Sequence, residues 1–183
     1  MNNNIKTKNS TINGDVFIGD KHYQQPELLP LQNAIKAIQS SIKENPELEE
    51  IIEELAEYTT DHPNREIIGV EKKLINGNRK DLLEDAVYLK NKFERLLAKK
   101  QMSLVEQRIY AHVLAVIDTS FKHKIRPLIL EKKPTSEIDS AILSHIIEPV
   151  YKSVVEFNST ITQSHVAGML YFLTGKCHLV WDN

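Results

Sequence analysis

The chain has 183 residues, 41% of them hydrophobic, so it can bury a sizeable core within one domain and a small appendage. Its 23 Lys and Arg nearly balance 25 Asp and Glu, and a net charge of -2 provides no overall field that would attract nucleic acid or an anionic membrane. The single Cys177 excludes an internal disulfide and fits a reducing compartment. With no signal-peptide pattern and no run long enough to span a bilayer, the sequence predicts a cytoplasmic protein without membrane contact.

The N-terminal segment differs from the rest of the chain. The pair Asn13-Gly14 lies between two short β-prone runs, a pattern typical of a β-hairpin with a two-residue turn. Pro26 lies in the stretch that follows, where it removes an amide donor and disfavours helix. We therefore divide the chain into a hairpin and linker at residues 1–25 and a helical domain at residues 26–183.

From residue 31 onward, apolar residues recur at the three- and four-residue steps of amphipathic helices. Ser103 and Glu106 form a capping-box pair at the start of one helix. Pro127 is predicted to kink or end its helix, and Pro149 predicts a kink near Ile146. The other predicted breaks are Asn45-Pro46, Asp61-His62-Pro63, Asn76-Gly77, Pro134 and Gly175.

The last helix is predicted over the run from Val166 to Leu173, which is apolar on nearly every face. Such a helix is either central in the core or docked on a partner. Residues 177–181 follow as a short extended strand. The sequence thus predicts a mainly α, multi-helix, bundle-like domain with a short N-terminal β-hairpin and a short C-terminal extended strand.

No arrangement of residues indicates catalysis. The glycines are scattered, which excludes a phosphate-binding loop, and the histidines lack metal-ligand spacing. Ser144-His145, Ser164-His165 and Cys177-His178 are neighbours in the chain, and on a helix such neighbours point about 100° apart. The acidic residues between Glu47 and Glu57 fit a solvated helix face better than a cation site. We predict a protein that is not an enzyme, with no catalytic residue, cofactor or metal; a small hydrolase built around Cys177 is a weaker alternative.

Basic residues collect between Lys90 and Lys133. If their helices are neighbours, they could form one patch that contacts phosphates, although an ordinary helical surface also explains them. The candidate nucleic-acid contacts are Lys99, Lys100, Lys122, Lys124 and Arg126.

Large apolar side chains near both ends are candidates for contacts with partner proteins, because rigid rings anchor interfaces. Core packing explains the C-terminal aromatic residues equally well. The candidate partner-binding residues are Phe17, Ile18, Leu170, Tyr171, Phe172 and Trp181.

Residues 10–20 and 168–181 together resemble the small accessory domain of bacterial ABC-three-component systems, the group that includes the Lamassu anti-phage systems. The resemblance implies three parts: an SMC-like coiled-coil ATPase, an effector that is often a nuclease, and a small helical subunit or C-terminal domain that couples them. It transfers no catalytic residue. Related domains often follow an effector in the same chain, whereas this sequence starts with the hairpin, so we expect a separate accessory subunit.

The resulting hypothesis is a non-catalytic bridging subunit of an anti-phage defence complex, with an SMC-like ATPase and a nuclease effector as partners and DNA contact through the complex. The alternative is a nucleic-acid-binding regulator that uses the basic residues between Lys90 and Lys133. Steep loss of binding with added salt would mark the alternative.

Overall fold

The computed structural model describes residues 29–41, 53–98 and 103–182, and these residues are helical with irregular connections. No strand occurs within these ranges, which confirms the mainly α prediction, and no helix in them is both long and apolar enough to cross a membrane. The predicted hairpin with Phe17 and Ile18 lies outside the described residues. The helices are α1 (Leu29–Ser41), α2 (Glu53–Thr59), α3 (Gly69–Asn76), α4 (Leu83–Leu97), α5 (Leu104–Ser120), α6 (Arg126–Leu130), α7 (Thr135–Ile142), α8 (Glu148–Val155) and α9 (Gln163–Gly175).

Helix α9 occupies the centre of the fold, with α4 packed along it. Most of its residues from Val166 onward are buried, so the apolar run forms core. Gly168 permits the close approach of the two helices, because a Cβ at this position would lie 2.6 Å from the carbonyl oxygen of Leu89. Next to it, the Phe93 ring meets the Phe172 ring edge-on at 5.2 Å between centroids. The sequence allowed this helix to lie in the core or to dock on a partner, and in the structure it lies in the core.

The two internal prolines are accommodated by π-helical stretches. Phe121–Ile125 joins α5 to α6 ahead of Pro127, and Leu143–Ile147 joins α7 to α8 ahead of Pro149. In each stretch the amide of the following residue reaches a carbonyl five residues back, so the chain stays helical where a proline lacks its donor. A π-helical stretch thus occupies the position near Ile146 where a kink was predicted, and at Pro127 the helical path continues to Leu130.

At its N-terminus, α5 begins with the predicted capping box. The Ser103 hydroxyl accepts from the Glu106 amide at 3.3 Å, and the Glu106 carboxylate accepts from the Ser103 amide at 2.9 Å. Both groups would otherwise lack partners at a helix start. This prediction is confirmed.

Three helices end in the same hydrogen-bond pattern, the Schellman motif, each with a residue other than glycine in the left-handed conformation. The left-handed residues are Asn78 (φ 57°) after α3, Lys132 (φ 55°) after α6 and Cys177 (φ 67°) after α9. In each motif the next residue's amide bonds to a carbonyl five residues back, for example Lys133 to Leu128 at 3.0 Å. These ends are local structures that need no partner chain.

Gly77 and Gly175 lie at the predicted helix ends, but neither is the left-handed residue. The sequence prediction of the stops is correct, and the assumed reason is not. Gly77 is required by packing, since a Cβ there would lie 2.8 Å from the Trp181 backbone oxygen and Cβ.

Candidate functional site

The C-terminal segment, residues 177–182, runs back over the helical core without forming a strand. Basic side chains take up its backbone carbonyls, which is the physical reason that the predicted C-terminal strand is not confirmed. The donors and acceptors are Arg65 with Cys177 (2.7 Å) and His178 (2.6 Å), Lys73 with Leu179 (3.1 Å), and Arg126 with Val180 (3.4 Å) and Asp182.

Trp181 fixes the end of this segment in the core. Its Nε1 donates to the Thr174 hydroxyl at 3.0 Å, and its ring lies 5.1 Å from the Phe121 ring centroid. The Arg79 guanidinium carbon is 5.9 Å from the indole centroid, within the range of a cation–π contact. The indole therefore links the π-helical stretch after α5, helix α9 and the turn after α3.

The predicted partner-binding residues of α9 and the C-terminal segment are mostly inaccessible. Leu170 is 1% exposed, and Phe172 and Trp181 are each 2% exposed, so this chain covers all three by itself. Tyr171 is half-buried, and burial raises the pKa of its hydroxyl to about 12. For these residues the structure supports core packing. The sequence alone had favoured core packing and partner binding equally.

Three of the predicted nucleic-acid residues lie in the described part of the chain, and two of them, Lys122 and Arg126, have partners within the chain. Lys122 pairs with Asp118 one turn earlier, at 2.5 Å, and Arg126 holds the C-terminal segment. Lys124 is exposed on the π-helical stretch, whereas Lys99 and Lys100 lie outside the described residues. Arg126 therefore has a structural role that the sequence pattern did not predict.

The side chains of Cys177 and His178 each form a hydrogen bond with a backbone carbonyl. The Cys177 thiol donates to the Glu66 carbonyl at 3.3 Å, and His178 Nε2 lies 3.2 Å from the Thr60 carbonyl. Burial lowers the pKa of the His178 imidazole, which favours the neutral ring with its Nε2 proton on that carbonyl. In the described part of the chain, no three His, Cys, Asp or Glu side chains cluster as a metal site would require.

A second feature, which we call the Arg79 cavity, has a volume of about 250 Å³. The Schellman ends of α3 and α6 both contribute to it, together with the first residue of α7. Three of its lining side chains are cationic and none is a carboxylate. The lining residues are Gly77, Asn78, Arg79, Ile129, Lys132, Lys133, Thr135, Ile138 and Trp181.

Arg79 is 2% exposed and is held by two carboxylates. Its Nη2 donates to Asp139 at 2.7 Å and to Asp81 at 3.0 Å, and its Nε donates to Asp81 at 3.2 Å. Burial alone would lower the pKa of the guanidinium, but these bonds outweigh it, and the same bonds lower the pKa of Asp81. Nη1 is buried and has no hydrogen-bond partner.

Arg79 is not among the site residues that the sequence pattern indicated. A single arginine three residues after a helix end carries no recognisable pattern, and charged residues there are usually solvated. The only usable signal was the Asn-Gly-Asn-Arg run, which marks a turn and says nothing of what the turn faces.

These features define a helical domain with a covered C-terminus and a cationic cavity. A family model for C-terminal domain 9 of the ABC-three component (ABC-3C) systems matches residues 69–181, more than half of the sequence. The chain therefore belongs to this family and is a component of an ABC-3C system. The match confirms membership of the ABC-three-component family and includes residues 168–181, one of the two runs that carried the resemblance. It also contains the Arg79 cavity. No curated protein and no solved structure matches the chain.

Proposed function

We propose that this chain is a non-catalytic accessory subunit that bridges an SMC-like coiled-coil ATPase and a nuclease-type effector in a Lamassu-type anti-phage complex in the cytoplasm. The family match over residues 69–181 is the observation that carries the proposal. The mechanism is positional: the subunit restrains the effector at rest and reorganises it when the ATPase engages foreign or damaged DNA ends.

A bridging subunit needs a rigid body with exposed anchors. Rigidity follows from the α4–α9 packing and from the clamped C-terminal segment. Because Leu170, Phe172 and Trp181 are covered, the anchors must come from other apolar side chains. Three exposed candidates are Ile67 (66% exposed), Tyr88 (61%) and Leu130 (54%).

Tyr88 is the strongest of these candidates. It stands on the outer face of α4 with exposed Glu84 and Asn91 one turn to either side. An exposed tyrosine with polar neighbours has the composition of interface anchors, in which a large ring supplies contact area and its hydroxyl a hydrogen bond. We propose that this face of α4 contacts a partner subunit.

The test is affinity purification of the tagged full chain from cells that express its neighbouring genes, with mass spectrometry of the co-eluting proteins. We expect a large coiled-coil ATPase and a nuclease. Tyr88→Ala should reduce their recovery at least about tenfold, the effect of a typical anchor of roughly 1.4 kcal/mol or more. Leu143→Ala, which truncates another exposed side chain (45% exposed), is the matched control and should leave recovery unchanged.

Elution of the chain without protein partners would overturn the bridging proposal, and so would catalytic activity of the purified chain. Equal recovery with Tyr88→Ala and Leu143→Ala would exclude the α4 face while leaving the bridging role in place. The two parts of the proposal can therefore fail separately.

The second candidate function is nucleic-acid binding through the basic residues between Lys90 and Lys133. The observation in its favour is that Lys124, Lys132 and Lys133 are exposed. It predicts that log affinity for duplex DNA falls by roughly 0.9 per log unit of salt for each phosphate neutralised. Unchanged affinity in a Lys122→Glu, Lys124→Glu variant would reject it.

A further inference from the structure

We propose that the Arg79 cavity binds a phosphate group, carried by a nucleotide or by the end of a nucleic-acid strand. This inference concerns a ligand site and does not depend on the bridging role. It rests on the composition of the cavity lining, on its size and on the state of the Arg79 guanidinium.

The lining has the chemistry of an anion site. Arg79, Lys132 and Lys133 supply cationic donors, and Asn78 and Thr135 supply neutral ones. Charge-assisted hydrogen bonds from such groups to phosphate oxygens are about twice as strong as neutral ones. The lining therefore suits an oxyanion and disfavours a cation or an apolar ligand.

The size of the cavity restricts the ligand. Its volume of about 250 Å³ lies below the range of about 300–1,000 Å³ that is typical of pockets enclosing a whole small molecule. One phosphate group with attached waters fits, whereas the remainder of a nucleotide or strand would lie outside. Recognition would thus be directed at the phosphate itself.

Arg79 is preorganised for this role. Asp81 and Asp139 fix one side of the guanidinium, so little side-chain entropy remains to be lost on binding. Nη1 is left with its donor capacity unused although the side chain is buried. A buried donor without a partner is costly, and an oxyanion that reached it would remove that cost.

Four carboxylates lie near the cavity cations. Asp81 and Asp139 pair with Arg79, while Glu131 and Glu137 lie 3.7 and 4.0 Å from the Lys133 ammonium. None of the four lines the cavity, and their side chains are between 48% and 62% exposed. The long pairs of Lys133 are weak because solvent screens their exposed carboxylates. The short pairs of Arg79 offset its charge, so Lys132 and Lys133 supply most of the positive charge that a ligand meets, and Arg79 supplies its unpaired Nη1 donor.

The experiment is an NMR titration of the ¹⁵N-labelled full chain with inorganic phosphate, at an ionic strength held constant with sodium chloride. We expect saturable shifts at the Arg79 side-chain Nε and at the amides of Asn78, Lys133 and Thr135. Lys132→Gln with Lys133→Gln should weaken binding by about tenfold or more, equivalent to about 1.4 kcal/mol. Both lysines are exposed, so this variant should remain folded.

Lys72→Gln with Lys152→Gln is the matched control, since it removes the same charge from exposed positions outside the cavity lining. It should change the affinity less than about twofold, a difference of well under 1 kcal/mol. Equal weakening by both double variants would overturn the proposal, because it would show a general charge effect. The absence of saturable shifts at the cavity residues would overturn it as well.

Two further titrations distinguish the sources of the phosphate. Adenosine monophosphate that binds more tightly than inorganic phosphate would support a nucleotide ligand. An oligonucleotide with a 5′-phosphate that binds more tightly than its 5′-hydroxyl form, and shifts the same residues, would support a strand end. Binding of both oligonucleotides with equal affinity and without cavity shifts would contradict a phosphate-directed site.

Discussion

The ends of α6 and α9 are built alike and lead to opposite outcomes. Each ends in a Schellman motif with a left-handed residue, Lys132 in one and Cys177 in the other. After α9 the chain turns inward and places Trp181 in the core, whereas after α6 the side chains of Lys132 and Lys133 stay exposed and line a cavity. Hydrogen bonds between nearby residues fix the backbone of each turn. The side chains that follow the turn decide whether the next segment is buried or exposed.

The largest effect is expected from removing the Trp181 side chain, which fixes the buried segment after α9. Trp181→Ala deletes a fully buried indole and its bond to Thr174, and it should lower the free energy of unfolding by about 3–5 kcal/mol. Urea denaturation followed by circular dichroism measures this. Tyr88→Ala, at a 61% exposed ring, should change stability by no more than about 0.5 kcal/mol. A stable Trp181→Ala protein that lost its partners would instead support the sequence prediction of an interface residue.

The next effect tests the packing that makes α9 central. Gly168→Ala places a Cβ where the Leu89 carbonyl oxygen is 2.6 Å away, and a helix backbone cannot move aside locally. We expect a loss of about 1–3 kcal/mol, measured by the same denaturation. Gly175→Ala is the matched control, since its Cβ would meet the flexible end of Lys90 at 2.8 Å, and it should cost less. Equal losses would argue against a special cost of the α4–α9 contact, because helix propensity by itself favours alanine over glycine in both variants.

The third prediction concerns the pH dependence of stability, which reports on the burial of Tyr110 in the same core. Burial, with a smaller contribution from Glu106, raises the pKa of Tyr110 to about 12, from 10.0 in the unfolded chain. Above pH 10 the unfolded chain loses this proton while the folded chain keeps it, so stability is lost as pH rises from 10 towards 12. For one residue the loss is about 1.4 kcal/mol at pH 11.

Tyr110→Phe should remove that part of the alkaline loss. Denaturation of both proteins at pH 9 and pH 11 measures the difference between them. A wild-type protein and a variant with the same change in stability between these two pH values would show that Tyr110 ionises freely and is not buried.

The smallest effect is expected at the exposed turn after α6. Lys132→Gly relieves the cost of a side chain in the left-handed conformation and should raise stability by about 0.5–1 kcal/mol, the larger entropy of glycine in the unfolded chain offsetting part of the gain. Thermal denaturation detects a shift of a few degrees. The same variant should weaken phosphate binding. A variant that gains stability and keeps full phosphate affinity would separate Lys132 from the cavity's function.

Much of the fold followed from local pattern. The capping box at Ser103, the helix stops near Asn76 and Gly175, and the disturbance ahead of Pro149 are set by hydrogen bonds or by missing donors within a few residues. Such interactions can be read from neighbouring letters. The family resemblance rested on local runs at the two ends, and the match over residues 69–181, which includes the C-terminal run, confirms the ABC-three-component family.

The sequence pattern did not indicate the roles of side chains whose partners are distant in the chain. Arg126 had the sequence context of a surface cation, but its partners are carbonyls more than fifty residues away. Arg79 joins Asp81 to Asp139, sixty residues on, and forms a cavity with a turn that no short pattern connects to it. Residue type alone does not show whether such a charged side chain is solvated or buried. That depends on which distant parts of the chain cover it.

By itself the sequence determined that this is a helical protein, where several of its helices begin or end, and which residues are apolar enough for a core or an interface. The tertiary structure alone decided that the aromatic C-terminus is core and that two capped turns meet at a cationic cavity. The physical reason is that helix formation depends on groups three to five residues apart, whereas burial depends on which distant surfaces come together.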